Sequence, residues 1–116
     1  MPYRVERALE TDQDLASIFA FLLDSYVAFG EEENAALERA AARIRAIESA
    51  MLALGNAPDQ GTLRPDLLPR LRSVTKQRAI FYFEVDDALS CVRVLAIFFG
   101  GQDHQNGLRQ RLSGPD

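Results

Sequence analysis

The apolar positions change spacing along the chain, and each change marks a boundary between elements. Tyr3-Arg4-Val5-Glu6-Arg7-Ala8-Leu9 alternates, which predicts a short strand turning Tyr3, Val5 and Leu9 to a core. Beyond it Leu15, Ile18, Phe19, Leu22, Leu23, Tyr26 and Val27 recur at helical spacing. Thr11 or Asp12 is the expected N-cap of that helix, with Asp14 in its first turn where the helix dipole favours negative charge. Gly30 is the expected stop. Glu31-Glu32-Glu33 open a second helix with the apolar stripe Ala36, Leu37, Ala40, Ile44, Ile47, Met51 and Leu54, closed by Gly55. So short a joint folds the two helices into an antiparallel hairpin. Ala35, Ala36, Ala40, Ala41 and Ala42 let them lie close.

Pro58, Pro65 and Pro69 argue against regular structure until about Arg70. From there the period is two. Leu71–Val74 predicts a strand and Thr75-Lys76-Gln77 a turn. In Arg78–Val85, Phe81, Phe83 and Val85 point one way, and Arg78, Ile80, Tyr82 and Glu84 the other. The paired Asp86-Asp87 begin a turn that runs to Cys91. In the last strand Val92, Val94, Ala96 and Phe98 share one face, and Arg93, Leu95, Ile97 and Phe99 the other. Both faces are largely apolar, which predicts a central position. Gln102–Leu112 is a short helix at most. The order is β-α-α-β-β-β, an α+β domain over 1–116 with a helical hairpin packed on a small antiparallel sheet.

Composition narrows the setting. A chain of 116 residues, 47% hydrophobic and 26% charged, suits one globular domain with its own core. The single Cys91 cannot form an intramolecular disulfide. No segment has the order of a signal peptide or the length of a bilayer span. A cytoplasmic protein without a membrane partner is therefore expected. The net charge of −4 conceals a polarity: residues 1–61 carry five Lys/Arg against eleven Asp/Glu, and residues 62–116 eight against six. Arg64, Arg70, Arg72, Lys76 and Arg78 form a basic strip opposed only by Asp66. Such a strip suits an acidic partner or a phosphate backbone, and equally a solvated face on a loop and edge strand. The acidic total argues against direct, sequence-specific DNA binding.

The remaining chemistry is sparse. His104 is the one histidine, and it reads as a surface hydrogen-bonding residue or helix cap. With one Cys and one His, no metal site is expected, and no cofactor motif appears. Cys91 reads as a small core residue. Arg93, set among apolar neighbours, needs solvent or a partner, for which Glu84 on the adjacent strand is the candidate.

Several stretches together resemble the RelE/ParE superfamily of type II toxin–antitoxin toxins, most closely its ParE-like branch. They are Pro65-Asp66-Leu67, Leu71-Arg72-Ser73, Ile80-Phe81-Tyr82-Phe83-Glu84-Val85-Asp86-Asp87, and Arg93-Val94-Leu95-Ala96-Ile97-Phe98-Phe99-Gly100-Gly101-Gln102-Asp103-His104. Tyr3-Arg4-Val5 before an acidic-capped helix also fits. The resemblance implies the same element order, a role in growth inhibition and plasmid stabilisation, and a cognate antitoxin that wraps the toxin.

RelE-like members cut messenger RNA in the ribosome, which needs a base, cations for the phosphorane charge and an acid. On that reading Arg72, Lys76 and Arg78 supply charge and His104 moves a proton. However, Ile80 stands where RelE-like enzymes place a strand arginine, Gly101-Gln102 where they place a basic pair, and Leu108 about where they place a tyrosine. ParE-like members act on DNA gyrase and need no catalytic set. The resemblance therefore favours a gyrase-directed toxin without catalytic residues. A ribosome-dependent ribonuclease and a degenerate member that only binds its antitoxin are the alternatives. The residues expected to meet antitoxin or target are Arg64, Arg70, Arg72, Lys76, Arg78, Tyr82 and His104.

Overall fold

The computed structural model describes residues 2–100 and 104–112, the side chains of 104–106 excepted. Five strands form one sheet in the order β1-β5-β4-β3-β2: β1 (Arg4–Arg7), β2 (Thr62–Leu63), β3 (Arg72–Lys76), β4 (Ala79–Asp86) and β5 (Cys91–Phe99). A hairpin of α1 (Glu10–Ala28) and α2 (Glu33–Leu52) covers one face, and α3 (His104–Leu112) lies against the other. The α+β architecture is the one expected. The sheet is mixed rather than wholly antiparallel, because β1 pairs in parallel with β5. A chain that crosses over through two helices before returning can pair in parallel, which a tight hairpin cannot.

The core follows from the periodicities. Leu15, Ile18, Leu22, Ala40, Ile47 and Met51 of the helices meet Phe81, Phe83, Val92, Val94, Ile97 and Phe99 of the sheet. Leu71, Tyr82, Ala96 and Leu108 form a smaller cluster under α3. At the hairpin tip Gly30 takes φ +97. Its N–H donates to Val27 O, and the Glu31 N–H donates to Tyr26 O, so two carbonyls at the end of α1 are satisfied.

The start of α1 departs from expectation. Neither Thr11 nor Asp12 caps it, since the helix begins at Glu10 behind Leu9, which is itself helical. Thr11 is buried and donates its hydroxyl to Ala8 O at 2.6 Å. Leu9 faces solvent rather than the core, 86% exposed, because the strand ends at Arg7 and the alternation ends with it. The second helix runs to Leu52, and Leu54 is buried in the 3-10 turn that follows. Gly55 does more than end a helix: its carbonyl accepts the Tyr3 N–H at 2.8 Å, seating the chain just before β1. Nearby, the Tyr3 hydroxyl donates to Asp87 at 2.9 Å, and that hydrogen bond pushes the phenol pKa up.

Three corrections concern the sheet. The proline-rich connection contains β2, whose Thr62 and Leu63 pair with Ser73 and Arg72. Two residues are too short a run to show a period. The β3–β4 turn falls on Gln77 and Arg78, both at positive φ (55 and 64), so Arg78 sits in the turn and not on the strand. Finally, the alternation of β5 breaks. Tyr82 pairs with Ala96 but Phe83 pairs with Val94, which leaves Leu95 as a bulge. Val92 and Val94 face the helices before the bulge and Ile97 and Phe99 after it, while Ala96 and Phe98 turn to α3.

Side chains bond the backbone at the bulge and just beyond it, where β1 has ended. Ile97 N–H donates to Asp14 at 3.1 Å, and Arg111 of α3 donates to Leu95 O at 2.9 Å. Arg111 and Asp14 join in an ion pair at 2.6 Å, held by two guanidinium nitrogens. Asp14 is thus a clasp between α1, β5 and α3, rather than a charge placed for the dipole of α1.

Cys91 is buried at the start of β5, and burial first, then the charge of Glu6, pushes its thiol pKa up. Iodoacetamide at pH 8 is expected to label the native chain about a hundredfold more slowly than the unfolded chain, read by intact mass. Equal rates would show that the thiol is accessible.

Candidate functional site

The basic strip is contiguous in sequence but not in space. Opposed residues of an antiparallel pair share a face, so Arg72 opposite Phe83 and Lys76 opposite Ala79 lie on the helix side of β3. Arg64 lies on the other side, next to buried Tyr82 and paired with Asp66 at 3.4 Å, an arrangement that raises its pKa. Arg70 is at the opposite end of the sheet from the Gln77-Arg78 turn, donating to Val85 O at 2.9 Å. Arg72 donates to Asp59 O at 2.8 Å. Both guanidinium groups therefore hold loop and strand together.

Tyr82 is 2% exposed, its ring edge-on to Phe98 with centroids 6.2 Å apart. The His104 side chain and the Gly101-Gln102 pair lie outside the described residues. Arg93 reaches solvent, flanked by Glu6 on β1 and Glu84 on β4 by register. It makes no ion pair with Glu84 among the described residues.

Of the strip, Arg78 lines a groove at the tip of the helical hairpin. The groove, of about 620 Å³, opens between Phe21, Tyr26 and Phe29 of the α1 end, Arg39 and Arg43 of α2, and Phe99 with Arg78 at the sheet end. Arg78 lies 5.8 Å and Arg43 5.9 Å from the centroid of the Phe99 ring. Arg43 is fixed by bonds to the Gln77 side chain at 3.2 Å and the Gln77 carbonyl at 2.8 Å. Arg39 stacks 4.3 Å from the Tyr26 ring centre and pairs with Glu31.

Guanidinium groups stay charged and donate without taking protons, so this set can bind anions and cannot by itself run acid–base chemistry. Among the described residues no group of three His, Cys, Asp or Glu is placed to hold a metal ion, and no helix is long and apolar enough to cross a membrane.

Arg39 and Arg43 were missed from sequence because they sit in the acidic half of the chain. Their spacing of four does place both on one helix face. What the sequence lacks is any sign that this face meets the Gln77-Arg78 turn.

No protein-family model matches the sequence, and no curated protein matches it. Solved structures do. A chain of the chromosomal ParDE toxin–antitoxin system from P. aeruginosa aligns at TM-score 0.61 and 21% identity, covering 84% of this chain and 95% of that one. A free mutant form of E. coli toxin RelE aligns at TM-score 0.57 and 9% identity over 96% and 97%. A chain of the RelBE2 toxin–antitoxin complex from Mycobacterium tuberculosis aligns at 0.54 and 16% over 88% and 95%. Each alignment spans more than four fifths of this chain and nearly all of the other. The chain has the fold of the RelE/ParE toxins.

Proposed function

We propose that this chain is the toxin of a type II toxin–antitoxin system, a single 1–116 domain acting in the cytoplasm and neutralised by a cognate antitoxin. Its target is a protein, DNA gyrase, and it carries no catalytic set of its own. The observation that carries this reading, beside the shared fold, is the dispersal of the candidate cations. Arg64 and Arg72 lie on opposite faces of the sheet, Arg70 and Arg72 are bonded to backbone carbonyls, and Arg78 stands apart at the hairpin turn. A ribonuclease needs cations and a proton donor converging on one phosphate. A docking protein does not.

Induction of the chain alone is expected to halt growth and to leave gyrase–DNA cleavage complexes, recovered as protein-linked breaks. Co-expression of the adjoining reading frame should restore growth. Growth arrest with intact gyrase activity at micromolar toxin, and new transcript ends within codons, would replace the gyrase reading with ribosome-dependent mRNA cleavage. Harmless expression in several hosts would leave an antitoxin-binding protein without toxicity.

A further inference from the structure

We infer that the groove at the hairpin tip seats an acidic, apolar-anchored segment of the antitoxin, with a carboxylate held between Arg43 and Arg78. This rests on the toxin–antitoxin reading above and adds the place and the chemistry of the contact.

Three observations lead there. First, the groove presents aromatic surface to solvent: Phe29 is 88% exposed and Phe21 39%, beside the Phe99 ring. Exposed apolar residues grouped at a groove and rimmed by charge mark a contact surface. Second, the two guanidinium groups flank one ring at nearly equal distance, and they differ from Arg39 in what they already hold. Arg39 is neutralised by Glu31, whereas Arg43 bonds only the neutral Gln77, and Arg78 makes no ion pair among the described residues. The groove therefore has surplus positive charge in a chain of net charge −4. Third, Arg43 is held on two nitrogens by Gln77, so it is ordered before anything binds.

A carboxylate-bearing peptide matches this surface better than RNA does. Nucleic acid gains affinity from many phosphate contacts at once, and this groove offers only two cations without an acidic partner among the described residues, over an aromatic floor. An acidic peptide needs one or two charges for register and an apolar side chain for energy. About 620 Å³ has room for a few such side chains.

The test uses the full chain and the protein encoded by the adjoining reading frame, with affinity measured by calorimetry at low and high salt. Arg78→Glu and Arg43→Ala/Arg78→Ala are expected to weaken binding about thirtyfold or more at low salt, with a smaller loss at high salt. Arg43→Lys/Arg78→Lys should keep most of the affinity. Arg70→Ala/Arg72→Ala should stay within about threefold of wild type, because neither side chain lines the groove. Thermal melts check that each variant is folded.

Wild-type affinity in Arg78→Glu, or an equal loss in Arg70→Ala/Arg72→Ala, would overturn the groove assignment while leaving the toxin–antitoxin reading standing. A short single-stranded RNA that binds more tightly than the protein partner, and is released by Arg78→Glu, would also overturn it, in favour of nucleic acid. Failure of the adjoining product to bind at all would remove both.

Discussion

Asp14→Ala is expected to destabilise the fold by about 2–3 kcal/mol and to release α3 from the sheet. Removing one partner of a buried ion pair costs about 3–5 kcal/mol, because the other charge is left without compensation. The lower figure applies here because the Arg111 side chain keeps 21% of its exposure and can turn toward water, whereas Asp14 keeps 9%. The carboxylate also accepts the Ile97 N–H, so its loss orphans a backbone donor as well.

For a domain of this size the melting temperature should fall by about 10 °C or more. Asp14→Asn keeps an acceptor for Ile97 and should cost less. Arg111→Ala should resemble Asp14→Ala, and the double variant should be little worse than either alone, since the two side chains act as one unit. Hydrogen exchange at the Ile97 amide is the local readout, faster in Asp14→Ala and nearer wild type in Asp14→Asn. A change within about 0.5 kcal/mol in Asp14→Ala would mean that the clasp adds nothing to stability.

Gly55→Ala is expected to cost about 3 kcal/mol, at the upper end for a small residue made larger in a packed site. A Cβ at this position would stand 2.0 Å from the Tyr3 carbonyl oxygen and 3.2 Å from Val5 Cγ2. Neither the start of β1 nor the 3-10 turn can yield without breaking the Tyr3 N–H bond to Gly55 O. The strain should therefore appear as loosened pairing of β1 with β5, read as faster exchange of the Arg4–Arg7 amides and earlier proteolysis near the N-terminus. Gly30→Ala is the control. Its φ of +97 is unfavourable for alanine, but nothing lies within 4 Å of the added Cβ, so about 1 kcal/mol is expected. Equal effects at the two glycines would show that backbone conformation, and not the close approach to Tyr3, is what Gly55 provides.

The elements were legible from the chain because each depends on local periodicity. The stripes of α1 and α2, the Gly30 stop, the Asp86-Asp87 turn and the alternation of β4 involve residues a few positions apart, and the structure contains them, except that Val27 and Leu37 of the two stripes face solvent. The Asp86 carboxylate accepts the Leu89 N–H at 3.1 Å, as a turn-forming Asp should. The failures with the largest consequences have a cause distant in sequence. The β5 bulge inverts the faces of Ile97 and Phe99, and it is stabilised by Asp14 and Arg111, some eighty and fifteen residues away. Gly55 is required by Tyr3, and the β2 pairing by Ser73.

The same division governs the candidate site. By itself the sequence determined an α+β domain, its core residues and a resemblance whose fold the solved structures share, because burial patterns survive at low identity. Clustered charge in sequence was a poor guide to clustered charge in space. Successive side chains of a strand point to opposite faces, so the run from Arg64 to Arg78 was split between two sides of a sheet and a turn. Only the tertiary structure brought Arg43, from the acidic half, to the same Phe99 ring as Arg78. That meeting depends on how the helical hairpin lies over the sheet, and no short-range pattern records it.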